Sequence, residues 1–110
     1  RFTDSTIAYQ HYGFGIDLKF INHINKYLLR NIKVDHTFLN VVNNMNMNKR
    51  LKLRKSLNRY DKFTNEFYKN VQKGFLKLAN KNTKKYEIIN SNLDIKYNQE
   101  IVIQSIKRLI

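Results

Sequence analysis

The chain has no cysteine, no proline, no tryptophan and only 3 glycines among its 110 residues. Without cysteine it can form no disulfide, no thiolate metal site and no thiol nucleophile. The three histidines, His11, His23 and His36, stand twelve and thirteen residues apart. That spacing fits no helical metal motif, and no metal ligand set is expected. Acidic side chains are also scarce, 8 Asp and Glu against 21 Lys and Arg. Scattered along the chain, they suggest neither a Ser-His-Asp arrangement nor a pair of catalytic carboxylates. There is no run of about eighteen apolar residues and no basic, apolar, small-residue leader, so neither a membrane span nor a secretory signal is expected. A soluble, cytoplasmic protein is the default.

What is present suffices for one packed domain: 42% hydrophobic and 13% aromatic residues. The formal charge of +13 points to a polyanion, nucleic acid or a membrane surface. Yet Lys, Asn, Ile and Tyr are abundant throughout, as AT-rich coding would make them. Lysine is spread along the chain, and the one local basic run is residues 49–55, Lys-Arg-Leu-Lys-Leu-Arg-Lys. A basic helical module that binds nucleic acid is therefore the alternative reading. The chain opens on Arg1 rather than Met, directly into a patterned segment, so it is expected to be a piece of something longer.

Periodicity divides the chain into helices and two short strands. Asp17 can cap a helix whose apolar positions Leu18, Ile21, Ile24 and Leu28 repeat with helical spacing, ending near Arg30-Asn31. Residues 37–42 read as a buried strand. Residues 44–57 read as a helix with Met47 and Leu51 one turn apart. From Lys62 to Ala79, the residues Phe63, Phe67, Val71, Phe75 and Leu78 form one stripe, which predicts a long amphipathic helix. Residues 86–90 read as a second strand, and a closing helix from about Lys96 has Val102, Ile106 and Leu109 on one face. This order predicts an α/β fold with a parallel sheet. Two strands alone are marginal, so further strands are expected before Arg1.

Two of the glycines form Gly13-Phe14-Gly15. A dinucleotide fingerprint would need glycine at position 18, which is leucine, and a phosphate loop would need Gly-Lys-Ser/Thr, where Ile16-Asp17 follow instead. A plain loop turning into a helix explains the glycines equally well. The residues before them are more informative. Arg1 offers a planar fork suited to phosphate, Thr6 and Gln10 can hydrogen-bond a base edge, and Tyr9 can pack on a sugar or base. If residues 5–10 begin a helical turn, Thr6, Tyr9 and Gln10 share a face. A second cluster, Arg50, Arg54 and Arg59, precedes the strongly periodic helix. Such a run is usually a solvated face, but mobile arginines are also what phosphoryl transfer needs to close over a charged transition state.

In these segments the chain resembles the thymidylate (dTMP) kinase family. That family has Asp-Arg followed by an aromatic residue or His, then a Ser/Thr, Ala-Tyr-Gln, a glycine-rich turn and an Asp-led helix. Here the corresponding residues are Arg1-Phe2, Ser5-Thr6, Ala8-Tyr9-Gln10, Gly13-Phe14-Gly15 and Ile16-Asp17. The family's "PDLT" is similar to Val34-Asp35-His36-Thr37. Its lid-to-helix pattern is similar to Asn58-Arg59-Tyr60-Asp61, with Phe67, Phe75-Leu76 and Leu78-Ala79 following without gaps. Val34 stands for the usual Pro, Asn40-Val41 for Leu-Asp, and Asp61 for Glu.

The resemblance implies the C-terminal part of one P-loop nucleoside-monophosphate-kinase-like domain, a three-layer α/β sandwich with a parallel sheet, mostly helical over residues 1–110. The acceptor motif would occupy 1–17 and a lid about 50–61. Arg1 would contact the dTMP phosphate, Thr6 and Gln10 the thymine edge, and Tyr9 the sugar side. Tyr60 would line the acceptor pocket, and Asp61 would lie near the sugar and metal region. Arg50, Arg54 and Arg59 would be lid arginines, with Arg54 and Arg50 catalytic and Arg54 the better placed for the transferring phosphate. ATP and Mg²⁺ are implied as cofactors, held mainly by a part preceding Arg1. The implied partners are dTMP and ATP, with no specific nucleic acid and no membrane, and a homodimer is allowed for the longer protein. The 110 residues alone are expected to be inactive.

Overall fold

A computed structural model describes residues 2–53 and 64–110. Helix α1 (Thr3–Thr6) runs directly into a π-helix (Ile7–Gly13), followed by α2 (Leu18–Leu28), β1 (Thr37–Val41), α3 (Asn44–Leu53), α4 (Asn65–Lys81), β2 (Tyr86–Asn90) and α5 (Ile95–Leu109). The two strands pair in parallel, Thr37 opposite Tyr86 and Val41 opposite Asn90. A parallel pair requires a long crossover, and α3 and α4 lie in it. The expected strands and helices are present. The expected residues 54–57 of α3 and 62–63 of α4 lie outside the described residues.

The helix starts follow local chemistry. Asp17 accepts a hydrogen bond from Lys19 N at 3.3 Å, Thr64 from Phe67 N at 3.3 Å, and Asp94 from Lys96 N and Tyr97 N at 3.2 and 3.4 Å. Each satisfies donors that a helix leaves unpaired, worth about 1 kcal/mol apiece. Asn43 does the same for Asn46 N at 2.8 Å, ahead of α3.

The sheet separates two helical layers. Alternation along β2 puts Glu87 and Ile89 on one face and Tyr86 on the other. Glu87 meets α5 through Ser105, and Tyr86 meets Asp4 of α1. On the side of α1 lies the main core, in which Ala8, Phe67 and Val71 are buried with Tyr9, Tyr68 and Phe75 packed around them. Two glycines permit this approach of the π-helix to α4. A Cβ on Gly13 would lie 2.6 Å from the Phe67 ring, and one on Gly74 would lie 2.5 Å from Tyr12.

The apolar stripes of two helices are only partly buried. In α2 the buried residues are Ile21 and Asn25, whereas Ile24 and Leu28 are 40% and 57% exposed. The helix turns its Ile21–Asn25 edge inward, where Asn25 Nδ2 donates to Thr3 O at 3.5 Å. In α5, Ile106 and Leu109 are exposed and Ser105 is buried. Here the contact with β2 is polar. Ser105 Oγ donates to Glu87 Oε2 at 2.8 Å, and Arg108 donates to Ser105 Oγ at 2.9 Å.

Candidate functional site

The acceptor motif forms a helical arm. After the four residues of α1 the arm widens into the π-helix, a form concentrated at functional sites. Phe14 N donates to Tyr9 O at 3.1 Å, five residues back, and Ile16 N donates to Gln10 O at 2.9 Å. The arm ends at Gly15, whose φ of +78° is a left-handed conformation favouring glycine. His11 Nδ1, bonded to Ile16 O at 2.7 Å, closes the same turn. A carbonyl can only accept, so this nitrogen bears the proton. The glycines thus turn the chain out of the arm toward the Asp17 cap.

Widening the helix alters which side chains share a face. Tyr9 points into the core, its ring 6.0 Å from that of Phe67 and 6.2 Å from that of Phe75. Thr6 is exposed and Gln10 is half-buried. The arm is pinned to the sheet by Tyr86, whose phenol donates to Asp4. Burial, then the hydrogen bond and charge of Asp4, push the Tyr86 pKa above its ordinary range.

Arg50 belongs to a different place. It lies on α3 and donates to the carbonyl of Ser91, just past the end of β2. Arg50, Asn40, Ile89, Ser91, Asn98 and Val102 are among the residues lining a crevice of about 1000 Å³. This crevice lies outside the carboxyl ends of the parallel strands, where open α/β sheets characteristically bind ligands. Among the described residues, no hydrogen bond joins Arg50 to Thr6 or Gln10. Arg1, Arg54, Arg59, Tyr60 and Asp61 lie outside the described residues.

The loop after β2 is held by asparagines that sequence reasoning passed over. Asn92 Oδ1 accepts from Asn43 N at 3.1 Å and from Asn46 Nδ2 at 2.9 Å, coupling the start of α3 to this loop. Asn98 Nδ2 donates to Asn90 O at 2.9 Å. Its Oδ1 is buried with no hydrogen-bond partner among the described residues. The signal was available: two strands that run parallel end on the same side, so the residues after Val41 and Asn90 had to be neighbours.

Ile89 and Val102 supply the crevice with apolar walls and Arg50 with a flat cation. Among the described residues, no three His, Asp or Glu side chains gather to hold a metal ion. Nor is any helix among them long and apolar enough to cross a membrane.

Comparison with known proteins agrees with the motifs. The family model described as thymidylate kinase matches residues 1–102. The chain is 33% identical over 108 residues to the thymidylate kinase of Sulfurihydrogenibium sp. (strain YO3AOP1), covering 98% of this chain and 52% of that protein. It is 34% identical over 89 residues to the thymidylate kinase of Wolbachia pipientis wMel, covering 81% of this chain and 43% of that one. Its fold is similar to the crystal structure of thymidylate kinase from Ehrlichia chaffeensis, with a TM-score of 0.64 and 30% identity over 97% of this chain and 48% of the other. The chain spans about half the length of the curated relatives it matches.

Proposed function

The chain belongs to the thymidylate kinase family, and from that premise we propose that the protein carrying it transfers the γ-phosphate of ATP to dTMP, forming dTDP, in the cytoplasm. In this reading residues 1–110 are the C-terminal part of one kinase domain. The observation that supports it best is the crevice at the carboxyl ends of β1 and β2, with Arg50 held beside the loop that follows β2.

The arm receives the acceptor. Thr6 and Gln10 hydrogen-bond the thymine edge, Arg1 forms a charge-assisted fork with the dTMP phosphate, and Tyr9, braced by Phe67 and Phe75, orients the arm on the sugar side. Tyr60 lines the same pocket and Asp61 lies toward the sugar. Arg50, Arg54 and Arg59 belong to the lid. Arg54 and Arg50 steady the charge that spreads over the phosphoryl oxygens. The crevice takes the base of ATP beside Ile89 and Val102. Mg²⁺ neutralises phosphate charge when bound, and the described residues provide no ligand set for it. The 110 residues contain no Gly-x-x-x-x-Gly-Lys-Ser/Thr, so by themselves they are inactive. A homodimer is part of the proposal. Phe20, Ile24, Tyr27 and Leu28 are exposed along one side of α2, an apolar strip that a second copy would cover.

The test is ATP-dependent phosphorylation by the natural full-length protein, with dTMP and dUMP compared. A site that reads the thymine methyl should favour dTMP by about ten- to two-hundredfold in kcat/KM. Equal use of both, or of neither, refutes the reading.

A further inference from the structure

Away from the crevice, α4 displays Lys69, Lys73, Lys77 and Lys81 at strict four-residue spacing, all exposed. The helix buries Phe67, Val71, Gly74 and Ala79, and the row winds about 40° per step, from opposite that core at Lys69 and Lys73 to its flank at Lys77 and Lys81. Each step rises about 6 Å, and the four attachment points span about 18 Å. Lys84 and Lys85, exposed just beyond the helix, extend it. Like charges four residues apart weaken a helix, and little here offsets them. Glu66 is the single acidic residue of α4, and none of the four lysines makes an ion pair among the described residues. Lys77 Nζ rests 5.4 Å from the centroid of the Tyr12 ring, which keeps its charge beside the arm without neutralising it.

We propose that this face of α4 binds the phosphate backbone of nucleic acid without reading its sequence. A row of positive charges on a rigid helix suits a partner whose negative charges are regularly spaced, which a nucleic-acid backbone provides. An anionic membrane is the weaker match, because an interfacial helix must insert an apolar face and that face of α4 is already packed inside the domain. All four groups are ammonium point charges rather than guanidinium forks, so they attract phosphate without the bidentate geometry that distinguishes bases.

The experiment titrates the natural full-length protein against a fluorescently labelled DNA duplex and follows anisotropy. Four neutralised phosphates give a slope of about −3.6 in log affinity against log salt, a loss of roughly 150-fold between about 50 and about 200 mM salt. Replacing Lys69, Lys73, Lys77 and Lys81 together by Gln should remove most of that slope and lower affinity at the lower salt by at least about 150-fold. A control replaces Lys19, Lys26, Lys96 and Lys107 by Gln, giving the same net charge, and should retain most of the affinity. Equal losses in the two variants would assign binding to overall charge and overturn the proposal. Binding to phosphatidylserine vesicles without binding to duplex would also overturn it. Lysine acylation of the unmodified protein supplies a readout independent of any variant's folding. Bound duplex should protect the four α4 lysines selectively, and uniform labelling with and without DNA would refute the assignment.

Discussion

Tyr86, the first residue of β2, donates its phenol hydrogen to Oδ2 of Asp4 in α1, across 82 positions of the chain. The bond fastens the N-terminal end of the arm to the sheet, while the other end of the arm is wedged against α4 through Gly13 and Phe67. An arm of two short helical segments has little cooperativity of its own. These two attachments hold it in place.

Tyr86→Phe keeps the ring and deletes the hydrogen bond. Hydrogen bonds to charged groups contribute about 1.5–3 kcal/mol, and for this part-buried pair we expect a loss of about 1–2 kcal/mol in urea unfolding. An unchanged midpoint would show that the arm does not depend on it.

The same pair has a signature at high pH. Tyr86 is raised above the ordinary value by burial first and by Asp4 second, so folding favours its protonated form. That stabilisation is complete below the ordinary tyrosine pKa of about 10 and is lost as pH rises from there toward the folded-state value. Lysines titrate in the same window, so the useful quantity is a difference. The unfolding free energies of the native protein and Tyr86→Phe should converge above about pH 10, and a gap independent of pH would contradict the linkage.

The glycines should rank by what surrounds them. Gly74→Ala drives a methyl against Tyr12 Cδ2, Cγ and Cβ, at 2.5, 2.7 and 2.8 Å, and a Cβ cannot swing aside. Overpacking of this kind costs about 1–3 kcal/mol, partly offset by about 1 kcal/mol of helix propensity. Gly15→Ala meets nothing within 4 Å, yet the φ of +78° imposes about 1–2 kcal/mol. Thermal melts of the two variants test both, and cavity-filling stabilisation by Gly74→Ala would refute the contact.

Arg50 separates stability from function. Its side chain is exposed and its bond is to a loop carbonyl, so Arg50→Ala should change unfolding by less than about 1 kcal/mol. If it serves the nucleotide crevice, loss of a charge-assisted contact should lower kcat/KM for dTMP phosphorylation about ten- to a hundred-and-fiftyfold. Arg50→Lys should recover only part of this, since an ammonium lacks the planar fork. Full activity in Arg50→Ala would remove the residue from the site.

Much of the architecture was legible in the residues. The stripe of Phe67, Val71, Phe75 and Leu78 marked α4, the Asp17 side chain marked the start of α2, and the two short apolar runs became paired parallel strands. The family was legible for a different reason: three motifs in order, at residues 1–17, 34–37 and 58–79. What periodicity left open were the inward faces of α2 and α5. A repeat shows that a helix has an apolar side, but burial depends on what that side meets. For α2 the main neighbour is the π-helix, with Thr3 of α1 meeting Asn25, and of the helix only Ile21 and Asn25 are buried. For α5 the contact is the Glu87 carboxylate, which selects Ser105 and Arg108.

The sequence by itself determined the order and kind of the principal elements, because spacing, caps and strand composition act over a few residues at a time. Only the tertiary structure decided that Tyr9 joins the core and that Arg50 faces the loop after β2. Those outcomes depend on the width of the π-helix and on the parallel pairing of distant strands. Each is set by packing between segments far apart in the chain, which no local pattern records.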